Sequence, residues 1–482
     1  MTTDQAPLTA SGQSTPRGGQ GILRAARRSL GALLHSARRI APLAWPVFVG
    51  QVAVLAFGTV DTVMVARYAA LDLAALAIGA AVYISVFVGL MGVVMSIGPV
   101  AGQLFGARKL HEAGAQLHQA VWLALGLSVL GSALLLMPAP FLHAAQAQPA
   151  VADKVRAYLG NLAFALPPAL LFQAFRGFNT AVSRPKIVMA LQLGGLSLKV
   201  PLNALLIYGF GDIPSLGAAG CGLATAIVMW AQLLLAWWVL RRDPFYAPFG
   251  LHVTRLNAPH RASLKELLRL GVPMGLSILI EVTGFTFMAI FISRISATAV
   301  AGHQLAANMV SLMFMMPLAI ANASSTLVAQ SIGAEEHADA RRMGWHGLQI
   351  AVLIAAVVGS VIYLARESVL GAYTSNPVII AAAMPLLAWV VVFHIADAAQ
   401  TVASFVLRAY RVTTVPMVIY AVALWGVGLG GGYLVAFDTT GLTPEPLRGA
   451  PGFWSASTTG LTLSALGMCT FFAWMLRHKV RQ

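Results

Sequence analysis

Long apolar segments recur along this chain, each longer than the core helix of an ordinary soluble domain needs to be. A helix rises ~1.5 Å per residue, so crossing a hydrocarbon layer ~30 Å thick takes ~20 apolar residues. Twelve segments meet that length: 42–66, 73–105, 117–139, 154–181, 186–209, 219–240, 269–292, 298–331, 345–365, 378–408, 414–436 and 453–476. In lipid every backbone N–H and C=O needs a partner inside the protein, so helices are the expected form. Of the 482 residues only 10% are charged, against ~25% in soluble domains, too few to clothe a water-exposed surface. The expected fold class is an all-α integral membrane protein with twelve transmembrane helices. The second and eighth segments are long, and Gly98-Pro99 and Pro317 mark expected kinks or tilt in them.

A net charge of +15 would suggest nucleic acid in a soluble protein. Here its distribution speaks to topology instead, and no nucleic-acid partner is expected. Residues 1–20 are polar and rich in Gly, Ser, Thr and Pro, which predicts disorder. Residues 21–40 are basic and helix-compatible, and are expected to form a cytoplasmic arm on anionic lipid; an organelle-targeting peptide is the rival. With the N-terminus inside, 24 of the 31 Lys and Arg fall on the inner side, and six on the outer. That bias predicts a multi-pass protein of the plasma membrane, in a bacterium the inner membrane, with both termini cytoplasmic. Cys221 and Cys469 lie in apolar surroundings and offer neither a disulfide framework nor metal-ligand spacing.

The two halves resemble each other. At an offset of 227, Leu43 matches Leu270, Pro46 matches Pro273, Gln103 matches Gln330, and Gly106-Ala107 matches Gly333-Ala334. At an offset of 232, Arg176 matches Arg408 and Gly220 matches Gly452, which fits one loop indel. Six spans per half is an even number, so the repeat is parallel, with its pseudo-two-fold axis along the membrane normal. The expected organisation is an arm (1–40), a six-helix lobe (41–240), a cytoplasmic connector (241–268), a second six-helix lobe (269–476) and a cytoplasmic tail (477–482). Repeats of this kind place a substrate site at their interface.

Asp61, Glu281 and Asp397 are the acids expected well inside spans. Each costs at least ~2.5–3.5 kcal/mol there, so each needs a reason; a neutral, hydrogen-bonded structural carboxyl is the bland one. His394, Asp397, Thr401 and Ser404 make a polar stripe on the tenth helix, with Gln400 beside it. Gln304, Asn308 and Ser311 make a second stripe on the eighth, with His303 one residue off it. Such stripes serve either as interhelical glue or as a cation pathway. Lys199 is the one Lys or Arg expected within a span, one turn from Asn203. Asp61 is the only acid of that half able to pair with it, and protonation of Asp61 would open the pair, with Gly58 and Pro201 as weak points of the first and fifth helices. Met309, Met313, Met315, Met316 and Phe314 cluster on the eighth helix, suited to promiscuous binding or to simple packing.

Several segments together resemble the multidrug and toxic compound extrusion (MATE) family, NorM-like branch, over about residues 40–476. They are VDTVMVA at 60–66, PVAGQLFGA at 99–107, QAFRGF at 173–178, VPLNALLIYG at 200–209, GCGLATAIVMW at 220–230 and GHQLAANMVSLMF at 302–314. The resemblance implies two six-helix lobes around a cleft and export of cationic or amphipathic drugs in exchange for H+ or Na+. It implies that Asp61 is the family's first-helix acid, with Asn203 and Thr225 as polar companions. It also implies that Glu281 and Asp397 are a second-lobe cation pair, able to hold Na+, with Phe393 as the neighbouring aromatic. Lys199 departs from the family, where Asn is common, and this weighs against direct metal binding in the first lobe.

The expected function is a multidrug antiporter acting on small organic cations as a monomer in lipid, with H+ or Na+ as coupling ion and no cofactor. A lipid-linked precursor flippase of a related fold is the alternative, expected to line its cleft with several Arg for pyrophosphate. No enzyme is expected. No HExxH motif, GxGD aspartate pair or Ser–His pair marks an intramembrane protease, and no Walker A motif is present.

Overall fold

The computed structural model describes residues 18–144, 148–212, 214–252, 255–439 and 441–479. Among the described residues, twelve helices are long and apolar enough to cross a membrane. The first six are α1 (Gly18–Ala66), α2 (Ala70–Gly106), α3 (Leu110–Leu136), α4 (Pro149–Ala181), α5 (Pro185–Tyr208) and α6 (Ala218–Arg242). The second six are α7 (Arg261–Ser293), α8 (Ala297–Gly333), α9 (His337–Leu364), α10 (Pro377–Ala409), α11 (Thr414–Ala436) and α12 (Ala450–Lys479). No strand occurs among the described residues. α2 is interrupted at Met95 and Ser96, just ahead of Gly98-Pro99, where proline removes the donor that residue 95 would have received. α8 runs through Pro317 without a break. The Gly-rich stretch Val422–Gly431 of α11 winds as a π-helix.

The basic segment differs from its expectation. Residues 18–40 are not a separate arm but the first turns of α1, continuous with the span. Two contacts with α9 hold them: Arg39 reaches both oxygens of Asp339 at 3.0 and 2.9 Å, and Ser36 Oγ lies 2.6 Å from His346 Nδ1. An amphipathic basic pattern is equally compatible with lying on lipid and with extending a span, and side-chain partners distant in sequence decide between them. Of residues 1–20, expected to be disordered, 18–20 instead begin α1, and 1–17 lie outside the described residues.

The repeat is visible in the turns. Arg108 and Glu335, 227 apart, both adopt φ near +60° (57° and 63°) after α2 and α8. Ser183 and Arg411, 228 apart, do the same after α4 and α10 (61° and 60°). Each of the latter turns is closed by equivalent bonds, Arg184 N–H to Asn179 C=O and Val412 N–H to Leu407 C=O. The register is therefore 228 here, which aligns Arg176 with Ser404 and Arg408 with Thr180. The expected match of Arg176 with Arg408 is not the structural one. Gly220 and Gly452 do correspond: each is the third residue of its span, α6 starting at Ala218 and α12 at Ala450, 232 apart.

Two apolar cores form, one per half, and the first helix of each half crosses between them. Ile40, Ala44 and Val47 of α1 pack into the second core, while Leu267 and Leu270 of α7 pack into the first. Between helices in lipid there is little hydrophobic driving force, so close backbone approach has to hold them together. At the end carrying the Lys- and Arg-rich loops the lobes meet through glycine. A Cβ on Gly106 would lie 2.0 Å from Gln330 O, and one on Gly333 would lie 1.9 Å from Gln103 O. The same two glutamines cross over: Gln103 Nε2 donates to Ala409 O at 2.7 Å, and Gln330 Nε2 to Ala181 O at 2.7 Å. Further along, Gly92 faces Gly275 across α2 and α7, where a Cβ would lie 2.5 Å from the facing Cα.

This reciprocal clasp should hold the lobes together at the basic end. Gln103→Leu with Gln330→Leu strands two carbonyls, at about 1–3 kcal/mol each. Spin labels on Lys109 and Glu336, both exposed, should then report a longer separation in a larger fraction of molecules. An unchanged distance distribution would show that the glutamines do not secure this end.

Candidate functional site

The first-lobe site is built by α1, α5 and α6. Pro201 sits between Lys199 and Asn203, which lie one turn apart on one face of α5. Lys199 is fully buried, at 0% exposure. Its ammonium lies 3.0 Å from Asp61 Oδ1 and donates to Thr225 Oγ1 at 2.5 Å, with the Phe57 ring centroid 5.4 Å away. Thr225 Oγ1 in turn donates a hydrogen bond to Cys221 O at 3.0 Å. Asn203 Nδ2 donates to Asp61 Oδ1 at 2.7 Å. The structure thus brings Asp61, Lys199, Asn203 and Thr225 into one cluster. An ion pair with added hydrogen bonds is the arrangement that tolerates burial. One acceptor is left over: Asn203 Oδ1 is buried without a partner among the described residues.

The second-lobe site is arranged differently. Glu281 of α7 lines a cavity between the lobes, and Tyr420 of α11 hydrogen-bonds to it. Asp397 of α10 lies deeper, at 4% exposure, close enough to feel the charge of Glu281. Thr401 Oγ1 stands 3.4 Å from Asp397 Oδ1 and 3.2 Å from Gln400 Oε1. Phe393 closes the far side in an aromatic cluster, 5.8 Å from Phe285 and 5.6 Å from Trp454. His394 is buried nearby on α10, with Nδ1 unpartnered among the described residues. Among the described residues no group of three or more His, Cys, Asp and Glu gathers as a transition metal would require. The donors present are carboxylate, amide and hydroxyl oxygens, which suit a proton or a hard cation.

Between the lobes lies a cavity of about 360 Å³, within the range of small-molecule sites. Met91, Met95, Phe314 and Met315 give it an apolar wall, while Gln400, Thr401 and Ser404 carry the α10 stripe into it. Gln304, Asn308 and Ser311 are exposed, whereas Asp397 is buried. Their spacing continues along α8 to Met315, Leu318 and Asn322, which line the cavity. Of the methionine cluster, Met309 and Met313 are core, and Met315 faces the cavity. His303 is buried against Trp454, at 5.9 Å between ring centroids.

Three charges escape the sequence reading. Arg176 and Arg408, expected at cytoplasmic helix ends, lie within α4 and α10 and line the cavity, so Lys199 is not alone among intramembrane cations. Asp72, one residue outside its expected span, is buried at the start of α2. It pairs with Lys154 at 2.9 Å and accepts from the Ala218 N–H at the start of α6. For Arg176 and Arg408 the missed signal was their place inside helical runs bounded by the turns at 182–184 and 410–413.

Comparison with known proteins follows the same division into halves. The MatE family model matches residues 46–205 and 273–434, one copy per lobe and in register with the repeat. Over 439 residues the chain is 40% identical to the "Probable multidrug resistance protein NorM" of Aromatoleum aromaticum, covering 91% of this chain and 93% of that one. It is 35% identical over 445 residues to the "Multidrug resistance protein NorM" of Vibrio cholerae, covering 92% and 96%. The fold is shared with the Vibrio cholerae MATE transporter VcmN in its bent form, with a TM-score of 0.82 at 18% identity over 93% of this chain and 98% of that one. With a family copy in each lobe and such identity across nearly its whole length, the chain belongs to the MatE family of transporters, not enzymes.

Proposed function

We propose that the protein is a multidrug efflux antiporter of the bacterial inner membrane that expels amphipathic organic cations as protons enter. The export reading draws on relatives that carry the name multidrug resistance protein and on a cavity of drug-sized volume between two lobes. The coupling reading is carried by one observation: a fully buried ammonium, Lys199 Nζ, stands against Asp61 and Thr225. That ammonium supplies the positive charge that a metal cation would bring, and repels a second one. The exchangeable partner at Asp61 is then a proton. Protonated Asp61 turns from acceptor to donor, and the spare Oδ1 of Asn203 is the acceptor beside it once the amide rotates. Losing its counter-charge, Lys199 no longer holds α1 against α5, and α1 is free to bend near Gly58. Glu281 and Asp397 serve as the second-lobe site, exchanging a proton or Na+ for substrate at the cavity wall. A carboxylate in low dielectric favours either a proton or a bound cation.

In this scheme the basic end of the molecule faces the cytoplasm. Moving Arg176 and Arg408 into the membrane leaves 22 inner Lys and Arg against six outer, still a strong bias. In a chain whose native Cys221 and Cys469 are replaced by alanine, a cysteine at Ser215 or Gly441 should label from outside intact cells, and one at Ser263 should not. Labelling at Ser263 would invert the topology.

Lys199→Ala leaves Asp61 buried without its counter-charge, an expected loss of ~3–5 kcal/mol. It should abolish efflux driven by a pH gradient. Adding Asp61→Asn should recover thermal stability but not transport. Transport driven separately by pH and Na+ gradients in inverted vesicles is the measurement. Wild-type proton-driven efflux in Lys199→Ala would remove the pair from coupling.

Glu281→Gln and Asp397→Asn keep shape and remove charge. Each should lower coupled efflux at least tenfold with the protein folded and inserted, assayed by vesicle transport alongside thermal unfolding. Full activity in either variant takes that residue out of the mechanism.

A further inference from the structure

The central cavity carries more positive charge than a chamber for cations calls for. Arg176 enters it from α4 in one lobe and Arg408 from α10 in the other. Glu281 is the one acid in the same lining among the described residues. The cavity wall is therefore net positive even with Glu281 ionised. Neither arginine forms an ion pair with a described residue. Arg176 Nη1 makes a long contact with Gln173 Oε1 at 3.5 Å, and Arg408 lies over the Phe405 ring with its guanidinium carbon 4.4 Å from the centroid. Each guanidinium has five N–H donors, and the protein occupies few of them. Arg408 shares this wall with Glu281, close enough to feel its charge, which leaves one of the two cations uncompensated. A buried cation at membrane depth marks a functional site, and a guanidinium with a planar fork fits a carboxylate.

We propose that Arg176 and Arg408 form an oxyanion subsite that takes the carboxylate of an amphipathic organic ligand. The ligand's apolar body then lies along Met91, Met95, Phe314 and Met315. In the 228 register Arg408 aligns with Thr180, one turn beyond Arg176. Both guanidiniums line the same two adjoining pockets, so one carboxylate with two oxygens can be shared between them. A ligand that also carries an ammonium reaches Glu281 with its other end. The protein thus accepts carboxylate-bearing amphipaths, zwitterionic or anionic, alongside the cations proposed above. This rests on the cavity being the export chamber.

The test uses a xanthene dye with a free carboxylate and its ethyl ester, which differ in one charge. Binding of both to the purified full-length protein is read by fluorescence polarisation. The ratio of acid to ester affinity should fall at least tenfold in Arg176→Gln with Arg408→Gln. An unchanged ratio overturns the subsite. Should that double variant fail to fold, the wild type decides: an aryl carboxylate should displace the acid dye at a concentration at least tenfold below that of its methyl ester. Equal displacement overturns the proposal, as does displacement by a polyprenyl phosphate but not by the carboxylate. Export of the cationic ester is a separate readout. Its absence, with the acid-to-ester selectivity intact, would defeat the export reading and leave the subsite standing.

Discussion

Hydrocarbon offers a buried charge no water and a free carbonyl no partner, and this constraint organises both the lobes and the sites of the molecule. Where the lobes meet, the last carbonyls of α4 and α10 are not left open: Gln330 and Gln103 bond those of Ala181 and Ala409 from the opposite lobe. Where Lys199 is buried, Asp61, Thr225 and Asn203 close around it. Where Asp72 is buried, Lys154 and the start of α6 close around it. An unmet polar group at such depth costs several kcal/mol, more than a membrane helix gains from packing one small residue. Among the unmet groups that remain in the described residues, Asn203 Oδ1 lies inside the first-lobe cluster, beside Asp61.

The lobes repeat in backbone and differ in charge. The first lobe holds its acid against a fixed ammonium, tethered to α5 and unable to leave. The second holds two acids, Glu281 and Asp397, with hydroxyl and amide oxygens around them, and the guanidinium of Arg408 near Glu281. In the proposed scheme the fixed counter-charge limits the first site to proton exchange and leaves the second open to a mobile cation. Because α1 packs into the second core and α7 into the first, the helix that carries Asp61 is in direct contact with the opposite lobe. Glu281 stands on the helix that makes the return crossing.

How much of this was legible in the sequence depends on how local each signal is. The spans were, because apolar length is read one segment at a time. The pairing of Asp61 with Lys199 was, because burial leaves a charge few partners and that half offers one acid for the one lysine. Arg176 and Arg408 were read as loop charges because they lie within a turn or two of the helix ends, where hydropathy falls before the helix stops. Their alignment at offset 232 was coincidental, since four of the extra residues enter only in the last loop, after α10 has ended. The N-terminal turns were misread for a different reason. Nothing local in residues 21–40 records that Arg39 meets Asp339, 300 positions away.

The arginines also alter the ground for excluding a flippase. The expectation that such a protein lines its cleft with several arginines no longer separates the two functions, because two arginines do line this cavity. What separates them is the rest of the wall. A pyrophosphate carries more charge than two guanidiniums balance once Glu281 adds its own negative charge beside Arg408. A single carboxylate leaves that count close to neutral. With Glu281 ionised, the cavity and one carboxylate sum to zero, and with Glu281 protonated they sum to one positive charge. Loading a proton on Glu281 therefore strengthens the hold on an anionic group and weakens the hold on a cationic one. Under the proposed scheme, the same acid that expels cations when protonated retains carboxylates in that state, so the two proposed ligand classes leave at opposite steps of one cycle.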